Sequence, residues 1–579
     1  MTAIRIERRP APTLLTDADW PGLHPVLRRV YAARGVGSAR EVAPGLAAME
    51  RPDSLGGLDA ACRLLTEAID RQQRILVIGD FDCDGATGAA LAVRGLRLLG
   101  ATKVTFDVPH RMQHGYGLSE ALVADLPRPL PDLLITVDSG IACVDGVAAA
   151  RAEGCRVIVT DHHLQGEQLP AANAIVNPNV EGDAFPSKAL AGVGVMFYLL
   201  IALRAHLRSA DRFANAVEPD LSSLLDLVAV GTVADMVALD RNNRTLVAAG
   251  LRRIRAGHCQ PGIAALAQVA GKPLEDLSAP DIGFTIGPRI NAAGRLEDMR
   301  VGIACLLSDD PAEALELATI LNDINRERRQ VQQQMLDQAE QSLDNFDDAA
   351  PASAAVVVHD EGWHPGVVGL VASRLKDRLH RPTIALAPAD PEQPDGEWRG
   401  SARSIAGFHL RDALAEVDRR QPGLMLRFGG HAMAAGLSIE AANIPRLESA
   451  LAEVAGDWLT AEQLAQCRFS DGPLAGADFS RELAEQLRDG GPWGQAFPEP
   501  AFDNRFAVTS WRVVGERHLK LSLQGLDEAD GARVDAIAFG AWPGEPPPAR
   551  VHLLYQLTTD DYRDRHGVQL IVRHMSSAD

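Results

Sequence analysis

The chain has 579 residues, is 46% hydrophobic and carries a net charge of −20, which predicts roughly four domains with ordinary cores and argues against broad, nonspecific nucleic-acid binding. Seven scattered cysteines, an odd number with no Cys-x-x-Cys pair, exclude a disulfide framework and fit reduced thiols. No run reaches the ~18 apolar residues of a membrane span, and Met1–Pro12 has Arg but no apolar segment, so no secretory leader is expected.

Residues 1–50 are rich in Pro, Arg and Ala without a clear period and read as an N-terminal extension packed on the next domain. Leu64, Leu65 and Ile69 predict a helix over Leu58–Arg71. Arg74–Ile78 reads as a buried strand and Thr87–Leu99 as the helix after it. Between them Asp80, Asp82 and Asp84 occupy every second position, on one side if strand geometry continues. Carboxylates at a strand's C-terminal end suit hard divalent cations. A calcium EF-hand loop starts the same way, but the twelfth residue from Asp80, where it needs Glu, is Leu91, and a strand precedes the acids. A structural acidic turn is the other alternative.

Val104–Val108 is a second strand, running into a glycine-containing loop with His110, Arg111 and His114. Arg111 can grip a phosphate or be an ordinary surface residue. Leu133–Val137 and Val157–Thr160 are further strands, ending in Asp138 and in Asp161-His162-His163, and Ala174–Asn177 is a fifth. Strand–helix alternation predicts a parallel sheet. A lone Asp at a strand end is usually a helix cap, but three ends carrying metal-compatible groups point to a cation site. Imidazole ligates through a neutral nitrogen while a neighbouring carboxylate fixes its tautomer. Leu224–Val230 reads as a buried helix leading to Asp235, a further carboxylate.

Arg289–Arg295 reads as a glycine-containing turn. Its two arginines and Asn291 can hold phosphates, Arg289 being the preferred contact; solvated arginines at a helix end are the alternative. Asp310, Pro311 and Glu313 start a helix that can run to Leu343, about 50 Å at 1.5 Å per residue, and join two domains. Its Arg326, Arg328 and Arg329 either line a cleft or form a solvated face. An α/β pattern resumes at Ala354, with strands at Ala355–Val358 and Thr383–Ala387, then Ser401 and Arg403. Gly429-Gly430-His431 reads as a turn entering a helical stretch, able to offer backbone N–H groups to an anion. Gly490–Gly494 and Phe497–Pro500 punctuate a linker, after which five short β-like runs between Phe506 and Val572 suggest an OB-type barrel. Trp511, Phe539, Tyr555 and Tyr562 with Arg512, Arg517, Lys520 and Arg563 offer stacking and phosphate contacts, or the rings are core. Residues 501–579 hold nine Lys or Arg against eleven Asp or Glu, so they form no basic patch overall.

Asp80/Asp82/Asp84, Asp138, Asp161-His162-His163 and Asp235, in that order, resemble the four motifs of the DHH phosphoesterase superfamily. GDFDCDGATG (79–88), HGYGLS (114–119), GTVADMVAL (231–239), PRINAAGRL (288–296) and GWHPGVVG (362–369) narrow the resemblance to the RecJ family of single-strand-specific 5′-to-3′ exonucleases, over nearly the whole chain beyond residue 50. The resemblance implies a multidomain α/β protein: the extension 1–50, a parallel-sheet DHH domain 51–305, a connector helix 306–350, an α/β DHH-associated domain 351–460, a linker 461–499 and an OB-type β-barrel 500–579. It implies hydrolysis of single-stranded DNA to 5′-mononucleotides in repair and recombination, by two-metal catalysis with a metal-activated water. Asp80, Asp82 and Asp138 would hold one cation, and Asp84, Asp138, His162 and Asp235 the other, with Asp138 bridging. Some relatives have His at the position of Ile78; here Asp80 replaces it.

By the same resemblance Asp161 would act from behind the ligands, while His163 and Arg289 stabilise charge on the scissile phosphate. Arg111, Ser401 and Arg403 would take the 5′-phosphate and the Gly429-Gly430-His431 turn a substrate phosphate; in the OB-type barrel that the resemblance supports, Trp511, Arg512 and Tyr555 are, by their own chemistry, the candidate contacts to the strand. Oxygen-rich ligation with one imidazole suits Mn2+ or Mg2+ better than zinc. A bacterial cytoplasmic monomer is expected, with no membrane contact; single-strand-binding protein and a helicase are the candidate protein partners. Two other readings are a nanoRNase or cyclic-dinucleotide phosphodiesterase, disfavoured by the barrel and connector, and a metal-free DNA-binding scaffold, disfavoured by the intact acids and His162.

Overall fold

The computed structural model describes residues 4–10, 20, 22–42, 45–111, 113–344, 353–515, 517–542, 544–560 and 567–578, without the side chains of 40 and 340–344. It divides into two compact units, one of residues 1–7 and 323–468, the other of residues 8–322 and 469–579.

The larger unit is built on five parallel strands in the spatial order Val104–Asp107, Ile75–Gly79, Leu133–Val137, Arg156–Thr160, Ala174–Val176. The order reverses between Ile75–Gly79 and Leu133–Val137, where the outgoing connections diverge and open a crevice at the strands' carboxyl ends. Gly79 pairs with Val137 and Val137 with Thr160, so Asp80, Asp138 and Asp161 leave the sheet at one level. Ile75–Gly79 and Leu133–Val137 are buried throughout, as a parallel sheet covered on both faces requires.

The helix after the first strand spans Cys83–Leu98 and starts earlier than the predicted Thr87. Asp82 caps it, its Oδ1 accepting the N–H groups of Asp84 at 2.9 Å and Gly85 at 3.0 Å. Strand geometry therefore stops at Gly79, and Asp84 reaches the site from the first helical turn, not by strand alternation. The helix packs closely: a Cβ on Gly88 would lie 2.5 Å from Val137 and one on Gly95 2.3 Å from Leu200. Helices Gly192–Ser209 and Leu225–Ala234 cover it.

The segment read as a turn at Arg289–Arg295 is instead helical: a π-turn at Ile282–Ile286 continues as an α-helix over Gly287–Leu296. Its glycine is there for proximity, since a Cβ on Gly294 would lie 1.8 Å from the Phe81 carbonyl oxygen.

Strands Phe502–Val514, His518–Gly525, Arg533–Ala538, Gly567–Ser577 and Arg550–Asp560 close, in that order, into a barrel whose apolar interior is continuous with that of the parallel-sheet region. Tyr562 and Arg563 lie outside the described residues. The segment read as a linker contains a helix, Arg481–Asp489, and meets the N-terminal extension. There Tyr31 stacks between Trp20 and Trp493, at 5.4 and 6.0 Å, and Arg34 pairs with the fully buried Asp471 at 2.7 Å.

The smaller unit has a mixed sheet in the order Arg427–Gly430, Ala434–Glu440, Glu397–Arg403, Thr383–Pro388, Val356–His359, in which the last pair is parallel. Gly429-Gly430-His431 leads into the strand Ala434–Glu440, not into a helix, and the His431 N–H donates to Ala434 O at 2.8 Å. The expected helix N-terminus for an anion is thus absent from this turn. The connector is one helix, Pro311–Asp344, of 34 residues, about 51 Å long at 1.5 Å per residue. Among the described residues no helix is long and apolar enough to cross a membrane.

Candidate metal centre

The crevice at the sheet's reversal collects the predicted acids and histidines into two groups, Asp80–Asp82–Asp138 and Asp84–His162–Asp235; within each, one ligand atom per residue lies within 4.8 Å of the others. A third group, Asp138–His162–His163, overlaps both. The side-chain atoms Asp80 Oδ1, Asp138 Oδ1, His162 Nε2 and Asp235 Oδ2 are all buried without a hydrogen-bond partner. His162 Nε2 stands 3.1 Å from Asp138 Oδ1 and 3.5 Å from Asp235 Oδ2. A buried unsatisfied polar atom costs about 1–3 kcal/mol, and four in one crevice form a ligand set that a cation would satisfy. Carboxylate oxygens with a single imidazole fit Mn2+ or Mg2+.

Burial, reinforced by neighbouring acids, pushes the Asp80, Asp84 and Asp138 carboxyls well above the usual carboxylate range and raises Asp235 to about 7. Burial also lowers His162 to about 4, so its ring is neutral and its nitrogen lone pair is available. Both Asp84 oxygens accept backbone N–H groups, from Gly192 at 2.6 Å and Val193 at 2.9 Å, in the first turn of the helix Gly192–Ser209, where the helix dipole favours negative charge. Gly192 is required there, because a Cβ would fall 2.5 Å from Asp138 Cβ. Asp138 has φ +62°, a left-handed conformation uncommon outside glycine.

Both oxygens of Asp161 are already engaged by neighbouring N–H groups. The carboxylate accepts the Ile141 N–H at 2.9 Å, the His162 N–H at 2.7 Å and the His163 ring Nδ1–H at 2.7 Å. Burial alone would lower the His163 pKa, but the hydrogen bond and charge of Asp161 outweigh it and hold it at about 9. His163 is therefore cationic at neutral pH, with its other ring nitrogen directed away from Asp161.

Arg111 lies 3.8 Å over the Phe81 ring and donates through Nε to Gly294 O at 2.9 Å. In the smaller unit Arg403 Nη1 donates to Ser401 Oγ at 2.9 Å, and both groups crowd the space beside Gly369. Arg289 is buried, donating to Thr285 O at 2.6 Å and Asn322 Oδ1 at 3.2 Å, so it braces its helix and does not project from a turn. Tyr555 is a correction: it is 0% exposed and its hydroxyl donates to Asn504 Oδ1 at 2.6 Å in the barrel core, where no base can reach it. Trp511 is 41% exposed, stacked on Trp542 at 5.3 Å, with Arg512 exposed beside it.

Two residues near the centre, Tyr116 and Gly192, were given no role by the sequence reading, and a third, Asn291, was given a different one. The Tyr116 hydroxyl donates to Asp138 O at 3.0 Å, and its ring stands edge-on to His163 and Phe81. Asn291, read only as a phosphate ligand, accepts the Cys83 N–H at 2.8 Å. Gly192 carried no local signal; Tyr116, inside a glycine-rich loop at a strand end, did.

The chain matches family models for the DHH family, N-terminal domain, over residues 74–232, the DHHA1 domain over 352–457 and the RecJ OB domain over 470–574. It is 48% identical to the single-stranded-DNA-specific exonuclease RecJ of Dickeya dadantii, over 99% of each chain, and 47% identical to that of Escherichia coli, over 96% of each. Among solved structures, RecJ from Thermus thermophilus in complex with Mn2+ superposes with a TM-score of 0.80 at 30% identity, covering 99% of this chain and 79% of that one.

Proposed function

Because the chain belongs to the RecJ family of single-stranded-DNA-specific exonucleases, we propose that its crevice hydrolyses single-stranded DNA from the 5′ end, releasing 5′-mononucleotides. The observation that carries this reading is the set of four buried, unpartnered donor atoms on Asp80, Asp138, His162 and Asp235. Asp80, Asp82 and Asp138 would hold one divalent cation and Asp84, Asp138, His162 and Asp235 a second, with Asp138 common to both. Two such cations, Mn2+ or Mg2+, supply the Lewis acidity that makes a water nucleophilic at neutral pH and offsets charge on the phosphate.

The chain's own residues do the rest. Asp161 holds His163 protonated, so His163 can donate to a phosphate oxygen as charge develops there. Arg111 offers a fixed guanidinium beside Asp80 and Asp82, and Arg403 with Ser401 offers a second phosphate contact on the smaller unit. The barrel's exposed Trp511 and Arg512 supply stacking and charge to the strand. A helicase, which exposes single strand, and a single-strand-binding protein, which covers it, are the candidate protein partners of this activity. We take the chain to act as a monomer in the bacterial cytoplasm, where its seven free cysteines would stay reduced.

The test is Mn2+-dependent release of mononucleotides from a 5′-labelled single strand, with Asp138→Ala as control. The wild type should release mononucleotides and Asp138→Ala none. Binding without release by the wild type in Mn2+ would overturn the reading in favour of a scaffold, and release only from dinucleotides in favour of a nanoRNase.

A further inference from the structure

Four large exposed apolar side chains are tied, by chain adjacency or by contact, to residues of this charge cluster or to the helix that ends at it. Met236 is 68% exposed and directly follows the ligand Asp235, with a left-handed φ of +60°. Leu164 is 64% exposed and directly follows His163. Consecutive Cα atoms are ~3.8 Å apart, so neither can lie far from the metal centre. Tyr116, 43% exposed, is tied to Asp138 by its hydroxyl and stands 5.8 Å edge-on to the His163 ring. Phe284 is 77% exposed on the π-turn Ile282–Ile286. That turn rests on the end of the helix carrying Asp235: a Cβ on Gly283 would lie 3.5 Å from Val233 and one on Gly287 2.9 Å from Ala234.

Exposed apolar residues scattered singly need no explanation. Here they coincide with two unusual backbone features, the π-turn under Phe284 and the strained φ of Met236. Such features persist where the surrounding structure holds them, and they cluster at functional sites. None of the four side chains is charged, the Tyr116 hydroxyl is engaged with Asp138 O, and a thioether is too soft a ligand for Mn2+ or Mg2+. What they offer is π-face (Tyr116, Phe284), thioether (Met236) and aliphatic (Leu164) surface, against which nucleobases of any sequence can pack.

We propose that Tyr116, Leu164, Met236 and Phe284 form an apolar rim around the metal centre that grips the bases flanking the scissile phosphate. The inference rests on the exonuclease reading and adds to it the parts of the nucleotide that the acids and arginines do not address. It gives the site a sequence-independent hold on bases, so that a strand lacking them is held less well although every phosphate remains.

The test pairs Phe284→Ala and Met236→Ala with two substrates: a normal 5′-phosphorylated single strand, and the same strand with its first two residues abasic. Both side chains are exposed, so truncation leaves the fold intact, and the Mn2+ titration midpoint checks that the metal site is unchanged. The wild type should show a KM about tenfold higher on the abasic strand, the order of magnitude of losing one stacked base. Each variant should lose several-fold on the normal strand and nothing further on the abasic one, and Phe284→Trp should restore the loss. Equal losses on both strands, or none on either, would overturn the rim. A wild type that releases no mononucleotide at all would instead overturn the exonuclease reading beneath it.

Discussion

His162 and His163 are neighbours in sequence with opposite electrostatics. His162 is buried among unpartnered donors and neutral, whereas His163 leans on Asp161 and is cationic. The pair divides two tasks, ligation and charge stabilisation, between adjacent rings. Asp161 sets that division, since its carboxylate accepts hydrogen bonds from the His163 ring Nδ1–H and from both backbone N–H groups of the histidine pair. We therefore expect Asp161→Asn to lower kcat about 10–100-fold, the usual range for losing a partner of a metal-site histidine. His163→Gln should lower kcat about 10²–10³-fold, as for loss of one charge-stabilising donor. In both variants the Mn2+ titration midpoint should stay near that of the wild type. A His163→Gln enzyme needing far more Mn2+ but unchanged in kcat would make His163 a ligand instead.

Among the elements, the parallel sheet was legible because its three central strands are largely apolar runs that stop abruptly at Asp80, Asp138 and Asp161, and both signals are local. The barrel was legible for the same reason, although which of its rings face inward was not: Tyr555 and Trp511 sit in similar sequence, and the tertiary fold alone buries one and exposes the other. The glycines misled. At Gly294 the missing side chain serves a close approach within a helix, and in Gly429-Gly430 it ends a strand, yet a sequence shows only that a Cβ is missing. Gly294→Ala makes the distinction measurable. Helix propensity would favour alanine by about 1 kcal/mol, but a Cβ 1.8 Å from the Phe81 carbonyl must displace the backbone between Asp80 and Asp82. Overpacking of that kind costs about 1–3 kcal/mol, so the clash should win: lower thermal stability and weaker Mn2+ binding together. A stabilised, fully active Gly294→Ala would show that the approach is not tight.

At the scale of the whole molecule, the N-terminal segment and the barrel are joined by charge. Asp503, buried at the start of the barrel, accepts from Arg8 at 2.9 Å and Ser470 and lies 3.0 Å from His552 Nε2. Burial would raise its pKa, but these hydrogen bonds outweigh it and hold it below the usual carboxylate range. A depressed pKa stabilises the fold above the unfolded value, near pH 4, and that stability fades as pH falls through the folded value. Asp503→Asn should thus cost about 1–3 kcal/mol at pH 7 and progressively less below pH 4, read as denaturant midpoints across that range. An equal cost at pH 7 and pH 3 would mean that shape, not charge, holds the junction.

The left-handed backbone at Asp138 narrows what this position can be. Asn tolerates that conformation nearly as well as Asp, so Asp138→Asn keeps the turn while removing one acid from a crowd that repels itself. The metal-free variant should therefore melt higher than the metal-free wild type, and added Mn2+ should raise the wild type's melting temperature more than the variant's. The melting temperature of the wild type then becomes a gauge of how full its crevice is.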